Sequence, residues 1–410
     1  MNNKCFTTNY QREVSNDNLP HVGEIKFKVV YGDKFNFAND GDEDIHVVTD
    51  GDIQGIVSRV DTAAHTAREF TVPKGSWFNA SAPVGTTVKI YPRYGMNSFS
   101  ATSTLGSNPS YKEMDISQLA YMTKATSISF LNNGQSLNLL KSTYGDIKAF
   151  ATDTSLTSLD VSSTNVSGDI AAVKNLTALT YLKVGGTNVS GDIAVVQNLT
   201  ALTYLDVSKT NVSGDIAVVQ NLTALTNLSV GGTNVSGDIA AVQNLTALTA
   251  LNVGGTNVSG DISAISHLTS LTYLALDNTQ VSGKIDSLAN LTKLTFLGSF
   301  KGLSLTGDMS KIPAGVYFIS QIDRKVNTNF TWTAGGRQNA TLLAMEGAIP
   351  FDTTSMDNML IDQATCTISP EATMPYHKAI SVSGTRTSAS DAAVAAIQNK
   401  GITITGVTKI

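Results

Sequence analysis

The chain has 410 residues, of which only 15% are charged, and its formal net charge at pH 7 is −5. This balance excludes the basic field that holds nucleic acid or an anionic membrane, so we expect neither as a partner. The sequence contains no run of about 20 apolar residues, which argues against a membrane span.

The N-terminal third differs in pattern from the rest of the chain. Residues 1–22 are polar and lack the apolar stretch of a secretory signal, so we expect no such signal and predict a docking arm. Residues 23–95 contain short runs such as EIKFKVVY and TTVKIYP between turn residues, which predicts a small antiparallel β domain. Residues 96–121 are interpreted as a linker and an N-terminal cap.

A repeat occupies residues 122–310. The segment VSGDI begins at positions 166, 189, 212, 235 and 258, always 23 residues after the previous copy. The glycine of this step can be followed from Gly145 to Gly307 through eight coils, and aspartate follows it in all of them except the coil of Gly283, where Lys284 stands. A period of this regularity predicts a solenoid, in which each coil buries its apolar side chains only by stacking on its neighbours.

Apolar positions within a coil predict which side chains face the core. Leu205 and Val207 alternate with Tyr204, Asp206 and Ser208. This alternation predicts a short strand whose Leu and Val side chains point inward and whose other side chains point outward. In-register coils then form a parallel sheet.

These spacings resemble the leucine-rich repeat family, in its bacterial internalin-type and plant-type variants. The resemblance implies a solenoid with a parallel β-sheet and a convex side of short helical or irregular segments. It also implies a binding scaffold, without indicating the ligand. Threonine replaces the family's buried asparagine, and we expect these hydroxyls to satisfy turn backbone groups and to keep the asparagine's role in curvature. These threonines are Thr164, Thr187, Thr210, Thr233, Thr256 and Thr279.

The repeated aspartates have two interpretations. They could form a calcium ladder, or each could cap the short helical turn that follows it. Lys284 occupies the same column. A column that binds cations would not include a lysine, so the capping role is favoured.

The pattern changes after residue 310. Residues 311–410 are interpreted as irregular repeats and a C-terminal cap, with strands in VYFISQI, NFTWT, ATLLAM and AISVSG. Residues 388–400 predict a helix that Gly401 ends, and ITITGVTKI predicts a last strand.

Combinations of residues typical of catalysis or metal binding are absent from the sequence. Cys5 and Cys366 form no zinc or disulfide pattern, and the five histidines form no HExxH pair. The acidic run at Asp40–Asp44 lacks EF-hand spacing and is interpreted as a hairpin turn. We therefore predict a protein that is not an enzyme and has no cofactor and no metal.

The outward columns of the short strands vary from coil to coil while the core columns stay constant. By strand parity these columns, which include Asp160 and Ala275, face out on the concave side. Drift on an exposed surface and tuning for a partner both explain the variation, and aromatic side chains there suit sugars or a protein loop. The candidate binding residues are Tyr181, Lys183, Tyr204, Asp206, Asn227, Asn252, Tyr273, Asp277 and Phe296.

In composition and architecture the chain also resembles leucine-rich-repeat virion proteins of bacteriophages that infect gut Bacteroidales. That resemblance implies a structural or binding protein of a tail fibre, baseplate or head decoration. Its arm and β domain would contact other virion proteins, and its solenoid would bind a host surface protein or glycan. A bacterial surface adhesin, and less so a glycan-degrading tail enzyme, remain alternatives, and homo-oligomer formation is left open.

Overall fold

A computed structural model defines two compact units, Met1–Leu199 (unit 1) and Thr200–Ile410 (unit 2). The predicted arm and the acidic run at Asp40–Asp44 lie outside the described residues. The structure describes residues 25–29, 33–38, 45–57, 65–72, 77–82, 87–92, 98–100, 111–115, 127–129, 143–316, 318–319, 330–338, 340, 344–367 and 379–410.

Unit 1 begins with an antiparallel sheet. Its strands are β1 (Ile25–Val29), β2 (Asp33–Ala38), β3 (Ile45–Val57), β4 (His65–Val72), β5 (Trp77–Ala82) and β6 (Thr87–Pro92). They pair in the order β2-β5-β3-β6-β1, and β4 pairs with β3. The predicted antiparallel β structure is therefore confirmed for these strands.

The repeats of unit 1 form two parallel sheets. The short-strand sheet contains β7 (Ser98–Ser100), β9 (Ser127–Ser129), β11 (Ser158–Asp160) and β13 (Tyr181–Lys183). The Gly-Asp sheet contains β8 (Tyr111–Asp115), β10 (Thr143–Asp146), β12 (Asn165–Asp169) and β14 (Asn188–Asp192).

Strands β7 and β8 both lie inside residues 96–121, the segment interpreted as a linker and an N-terminal cap. Strand β7 pairs in parallel with β9, and β8 joins the antiparallel strand β1 to the repeat strand β10. Their sequences, SFS and YKEMD, lack the repeated Leu and Gly-Asp residues, so the sequence pattern could not reveal them.

Unit 2 continues with the same two kinds of parallel sheet. Its short strands are β15 (Tyr204–Asp206), β17 (Asn227–Ser229), β19 (Ala250–Asn252), β21 (Tyr273–Ala275) and β23 (Phe296–Leu297). Its Gly-Asp sheet contains β16 (Asn211–Asp215), β18 (Asn234–Asp238), β20 (Asn257–Asp261), β22 (Gln280–Lys284), β24 (Ser304–Asp308) and β26 (Phe330–Thr331).

The last part of unit 2 is a four-stranded parallel sheet with two helices. The strands are β25 (Phe318–Ile319), β27 (Ala344–Pro350), β28 (Ala379–Arg386) and β29 (Thr403–Lys409), and the helices are α1 (Thr353–Thr365) and α2 (Asp391–Asn399). The predicted C-terminal helix is confirmed as a 3₁₀ turn at Ser388–Ser390 followed by α2, and Gly401 ends it at a φ of 76°.

Helix α1 was not predicted from the sequence. Its buried face includes Ser355, Asp357, Asp362 and Gln363 beside its methionines and Leu360. Polar residues on the buried face remove the apolar periodicity by which a helix is identified. The one local signal is Asp352, whose carboxylate accepts a hydrogen bond from the Ser355 N–H at 2.7 Å.

Core packing follows the predicted parity. In unit 2, Leu205 and Val207 are fully buried, while Tyr204, Asp206 and Ser208 are partly exposed. The turn threonines are also buried as predicted. The Thr233 hydroxyl donates to the Val230 carbonyl at 2.6 Å and accepts from the Val235 N–H at 3.3 Å. Each threonine therefore satisfies its own turn.

The aspartate column is the site of helix capping. Asp215 and Asp238, for example, each accept a hydrogen bond at 2.8 Å from the N–H two residues later, at the start of a 3₁₀ turn. Lys284 makes no such bond. A Cβ on Gly237 would lie 2.3 Å from Asp215 Oδ1, and Gly237 has a φ of 106°. The capping aspartate of the previous coil leaves no room for a side chain at this position, and the positive φ also disfavours one. Both reasons explain the glycine that follows serine in VSGDI.

Replacing Asp215 with alanine should therefore lower the free energy of unfolding by about 1 kcal/mol, because the Ala217 N–H at the start of the 3₁₀ turn loses its side-chain acceptor. Urea titration followed by circular dichroism measures this change. The matched control is Asp215→Asn, which retains an acceptor oxygen and should recover most of the loss. Equal losses in both variants would contradict a capping role.

The buried carboxyl of Asp153 in unit 1 should make the stability of the protein depend on pH. The residue is 4% exposed, its Oδ1 accepts from the Ser155 hydroxyl at 2.8 Å, and its Oδ2 has no hydrogen-bond partner among the described residues. Burial raises the pKa of the Asp153 carboxyl to about 6. Because the folded pKa exceeds the unfolded one, this group makes the protein less stable as the pH rises through that window.

The Asp153→Asn variant removes this titration. We expect the variant to gain stability relative to the wild type between pH 4 and pH 7, on the order of 2 kcal/mol. Urea titrations at each pH unit give the difference, and parallel curves for the two proteins would refute the assignment.

Candidate ligand-binding face

The candidate residues lie on or directly after the short strands of each unit, on the outer face of the short-strand sheet. Tyr181 and Lys183 lie on β13 of unit 1. In unit 2, Tyr204 and Asp206 lie on β15, Asn227 on β17, Asn252 on β19, Tyr273 on β21 and Phe296 on β23, and Asp277 follows β21. All are partly or fully exposed, which matches the predicted parity. Whether they bind a ligand stays a prediction.

Two residues placed on this outer face by parity are buried. Asp160 is 3% exposed, because Ser162 donates to its Oδ1 from the backbone at 3.0 Å and from the hydroxyl at 2.7 Å. Lys183 Nζ lies 3.8 Å from its other oxygen. Ala275 is 5% exposed, because the backbone of Gly298 in the next coil packs against it. The expectation that both face solvent is wrong.

Aromatic residues of unit 2 form one close pair on this face. The rings of Tyr273 and Phe296 are stacked, with centroids 4.4 Å apart and planes 2° from parallel. Phe296 is 40% exposed, which is unusual for a large apolar side chain. The pair results from register, because β21 and β23 place the two residues directly opposite each other.

Polar side chains on this face of unit 2 make hydrogen bonds within their own coil or to the neighbouring coil. Asn252 donates to the Ser229 hydroxyl at 3.2 Å and accepts from the Gly254 N–H at 3.1 Å. Asp206 accepts two hydrogen bonds from Ser208. Burial, together with the nearby Asp277 carboxylate, raises the pKa of the Tyr273 hydroxyl. Tyr273 is therefore a neutral hydrogen-bond donor at physiological pH.

An exposed threonine ladder next to this face was not predicted. The hydroxyls of Thr226, Thr249 and Thr272 each donate at 3.0 Å to the carbonyl of the threonine one coil earlier, and the Thr295 hydroxyl donates to the Thr272 carbonyl at 3.2 Å. The signal was present in the repeated LTALT, whose second threonine recurs every 23 residues. These bonds hold the edge of the face rigid between coils.

In the part of the chain that the structure describes, no three His, Cys, Asp or Glu side chains converge as metal ligands. No described helix is both long and apolar enough to cross a membrane.

Stacked in-register strands, a buried Leu/Val core and capped turns between the two sheets define a leucine-rich-repeat solenoid fold. No family model matches the sequence. No curated protein matches it either.

Several solved structures are similar in fold. The plant peptide hormone receptor RGFR1, solved in complex with RGF2, has a TM-score of 0.48 at 18% identity over 66% of this chain. The ectodomain of the receptor kinase GASSHO1/SCHENGEN3 of Arabidopsis thaliana has a TM-score of 0.46 and a sequence identity of 16%, over 72% of this chain. Internalin C2 of Listeria monocytogenes has a TM-score of 0.38 and a sequence identity of 24%. The match covers 52% of this chain and 81% of the internalin chain. This chain spans 42% of each plant receptor's length. The fold assignment therefore rests on the strand pairing of this chain itself.

Proposed function

We propose that the chain is a non-enzymatic binding protein that recognises its partner through the outer face of the short-strand sheet. One observation carries the proposal. Core columns such as Leu205 and Leu228 are fully buried and constant, whereas the outward column reads Tyr, Asn, Ala, Tyr, Phe from Tyr204 to Phe296. An exposed aromatic stack on an otherwise small and weakly charged face is typical of a recognition surface.

For the biological setting, we propose a phage virion protein that binds a protein or glycan of the host surface. The low charge and the Ser, Thr and Asn content support this placement, together with the resemblance to phage virion proteins. The N-terminal segments would contact other virion proteins.

Binding is tested with the fluorescently labelled full chain on intact Bacteroidales cells. The double variant Tyr204→Ala/Phe296→Ala removes two outward aromatic side chains and should abolish cell binding. The matched control Asn211→Ala/Asn234→Ala, on exposed positions of the Gly-Asp sheet, should bind like the wild type. Equal binding by both double variants would overturn the proposed face.

The setting is tested by mass spectrometry of purified phage particles. Detection of the chain as a stoichiometric particle component supports the virion proposal. Its absence from particles and its presence in the bacterial envelope fraction would favour the adhesin instead.

A further inference from the structure

One column of unit 2 is interrupted by a small residue. Tyr204, Asn227, Ala250, Tyr273 and Phe296 lie opposite one another in successive parallel strands. Adjacent strands are about 4.8 Å apart. The Tyr273 and Phe296 rings are 4.4 Å apart and parallel, so their stack runs from strand to strand. The free face of Tyr273 is therefore turned toward Ala250.

Ala250 carries only a methyl group and leaves room for one more ring in this stack. We define the Ala250 slot as the space above Ala250 between the Tyr273 ring and the Asn227 side chain. Asn227 and Tyr273 lie two strand steps apart, or about 10 Å. A ring seated at Ala250 would contact Tyr273 on one side and the Asn227 amide on the other.

Two polar groups at the slot are available to a ligand. Neither the Asn227 side-chain amide nor the Tyr273 hydroxyl makes a hydrogen bond within the described part of the chain. The amide offers two donor hydrogens and an acceptor oxygen, and the raised pKa of Tyr273 keeps its hydroxyl protonated. The Asn252 side chain, by contrast, is hydrogen-bonded to the Ser229 hydroxyl and the Gly254 N–H, so it is already engaged within the protein.

The balance of these groups favours a sugar over a cation. A guanidinium has only donors, up to five of them, whereas Asn227 supplies one acceptor oxygen. A pyranose ring has hydroxyls that both donate and accept, and an apolar C–H face that packs on an aromatic ring.

We propose that the Ala250 slot binds one pyranose ring of a neutral glycan, stacked on Tyr273 and hydrogen-bonded to Asn227. This inference rests on the proposed binding function and specifies its ligand class. The neighbouring strands extend the face on both sides of the slot within unit 2, so longer chains are expected to bind more tightly than a monosaccharide.

The test uses the full 410-residue chain on a printed array of neutral hexose oligosaccharides, followed by calorimetric titration with a retained one. Ala250→Tyr fills the slot with a third ring beside the Tyr273 and Phe296 rings, and cross-strand aromatic neighbours are compatible with folding. Ala250→Tyr and Asn227→Ala should each weaken binding about tenfold or more, a loss of at least ~1.4 kcal/mol. The controls Ala224→Tyr and Asn234→Ala change the same residue types at exposed positions elsewhere and should bind like the wild type.

Each outcome decides the inference. Retention of an oligosaccharide that is lost in both slot variants, with unchanged circular dichroism, supports it. Wild-type cell binding that depends on Tyr204 and Phe296, without retention of any oligosaccharide, overturns the glycan slot and leaves the proposed function standing. Glycan retention that both slot variants preserve also overturns the slot. Failure of both cell binding and glycan retention overturns the inference together with the proposed function.

Discussion

Replacement of Leu205 by alanine is expected to lower the free energy of unfolding by about 2–5 kcal/mol. Leu205 is fully buried on β15, and the in-register Leu228 of the next coil is buried as well. Stacked coils cannot move independently to fill the space that the removed side chain leaves, so both the transfer free energy and the cavity contribute to the loss.

Tyr204→Ala is the matched control for Leu205→Ala. The two residues are adjacent on β15, but Tyr204 points outward and is partly exposed. We expect Tyr204→Ala to change stability by less than about 1 kcal/mol. Urea titration of both variants, monitored by circular dichroism, measures the contrast. A larger loss for Tyr204→Ala than for Leu205→Ala would mean that the strand parity is reversed.

Replacement of Arg337 by alanine is expected to cost about 3–5 kcal/mol, because it leaves several buried carbonyls without a donor. Arg337 is 2% exposed, and its Nη1 donates to the Ile312 and Pro313 carbonyls at 2.6 and 2.7 Å. Its Nη2 donates to the carbonyls of Ala314 and Val316. Burial lowers the pKa of Arg337 to about 10, which still leaves the guanidinium charged at neutral pH.

Arg337→Lys separates charge from geometry. A lysine ammonium keeps the charge, but it cannot present the planar fork that spans four carbonyls, so an intermediate loss is expected. Lys311→Ala removes an exposed cation from the same region and should have almost no effect. Thermal unfolding of the three variants gives the order of stability. Wild-type stability in Arg337→Ala would show that these carbonyls have other donors.

Regular repeats are the part of this fold that sequence reasoning predicts best. Leu205, Val207, Thr210 and the Gly-Asp step recur at one spacing, and each copy supports the same assignment of strand, turn and core. Positions outside the template were predicted less well. Helix α1 was missed because its buried face is polar, and β7 and β8 were missed because they lack the repeated residues.

On the candidate face, too, some positions were predicted correctly from the sequence and others were not. Parity placed Tyr273 and Phe296 on the outer surface, but it also placed Asp160 and Ala275 there, and both are buried. Alternation along a strand indicates only the direction of a side chain. Exposure also depends on what the next coil places over it, such as Ser162 and Lys183 around Asp160 or the Gly298 backbone over Ala275.

The sequence alone therefore determined the solenoid, its period, the inward Leu and Val side chains and the capping role of the aspartates. These depend on contacts within a coil or between identical coils, and a repeated pattern allows only one register for them. Only the tertiary structure decided that Tyr273 stacks on Phe296, that Ala250 leaves a slot beside them, and that Arg337 binds the carbonyls of Ile312, Pro313, Ala314 and Val316. The 23-residue period places Ala250, Tyr273 and Phe296 in one column, but it does not determine how their side chains pack against one another. Arg337 lies outside the repeats, so no period relates it to the carbonyls that it binds.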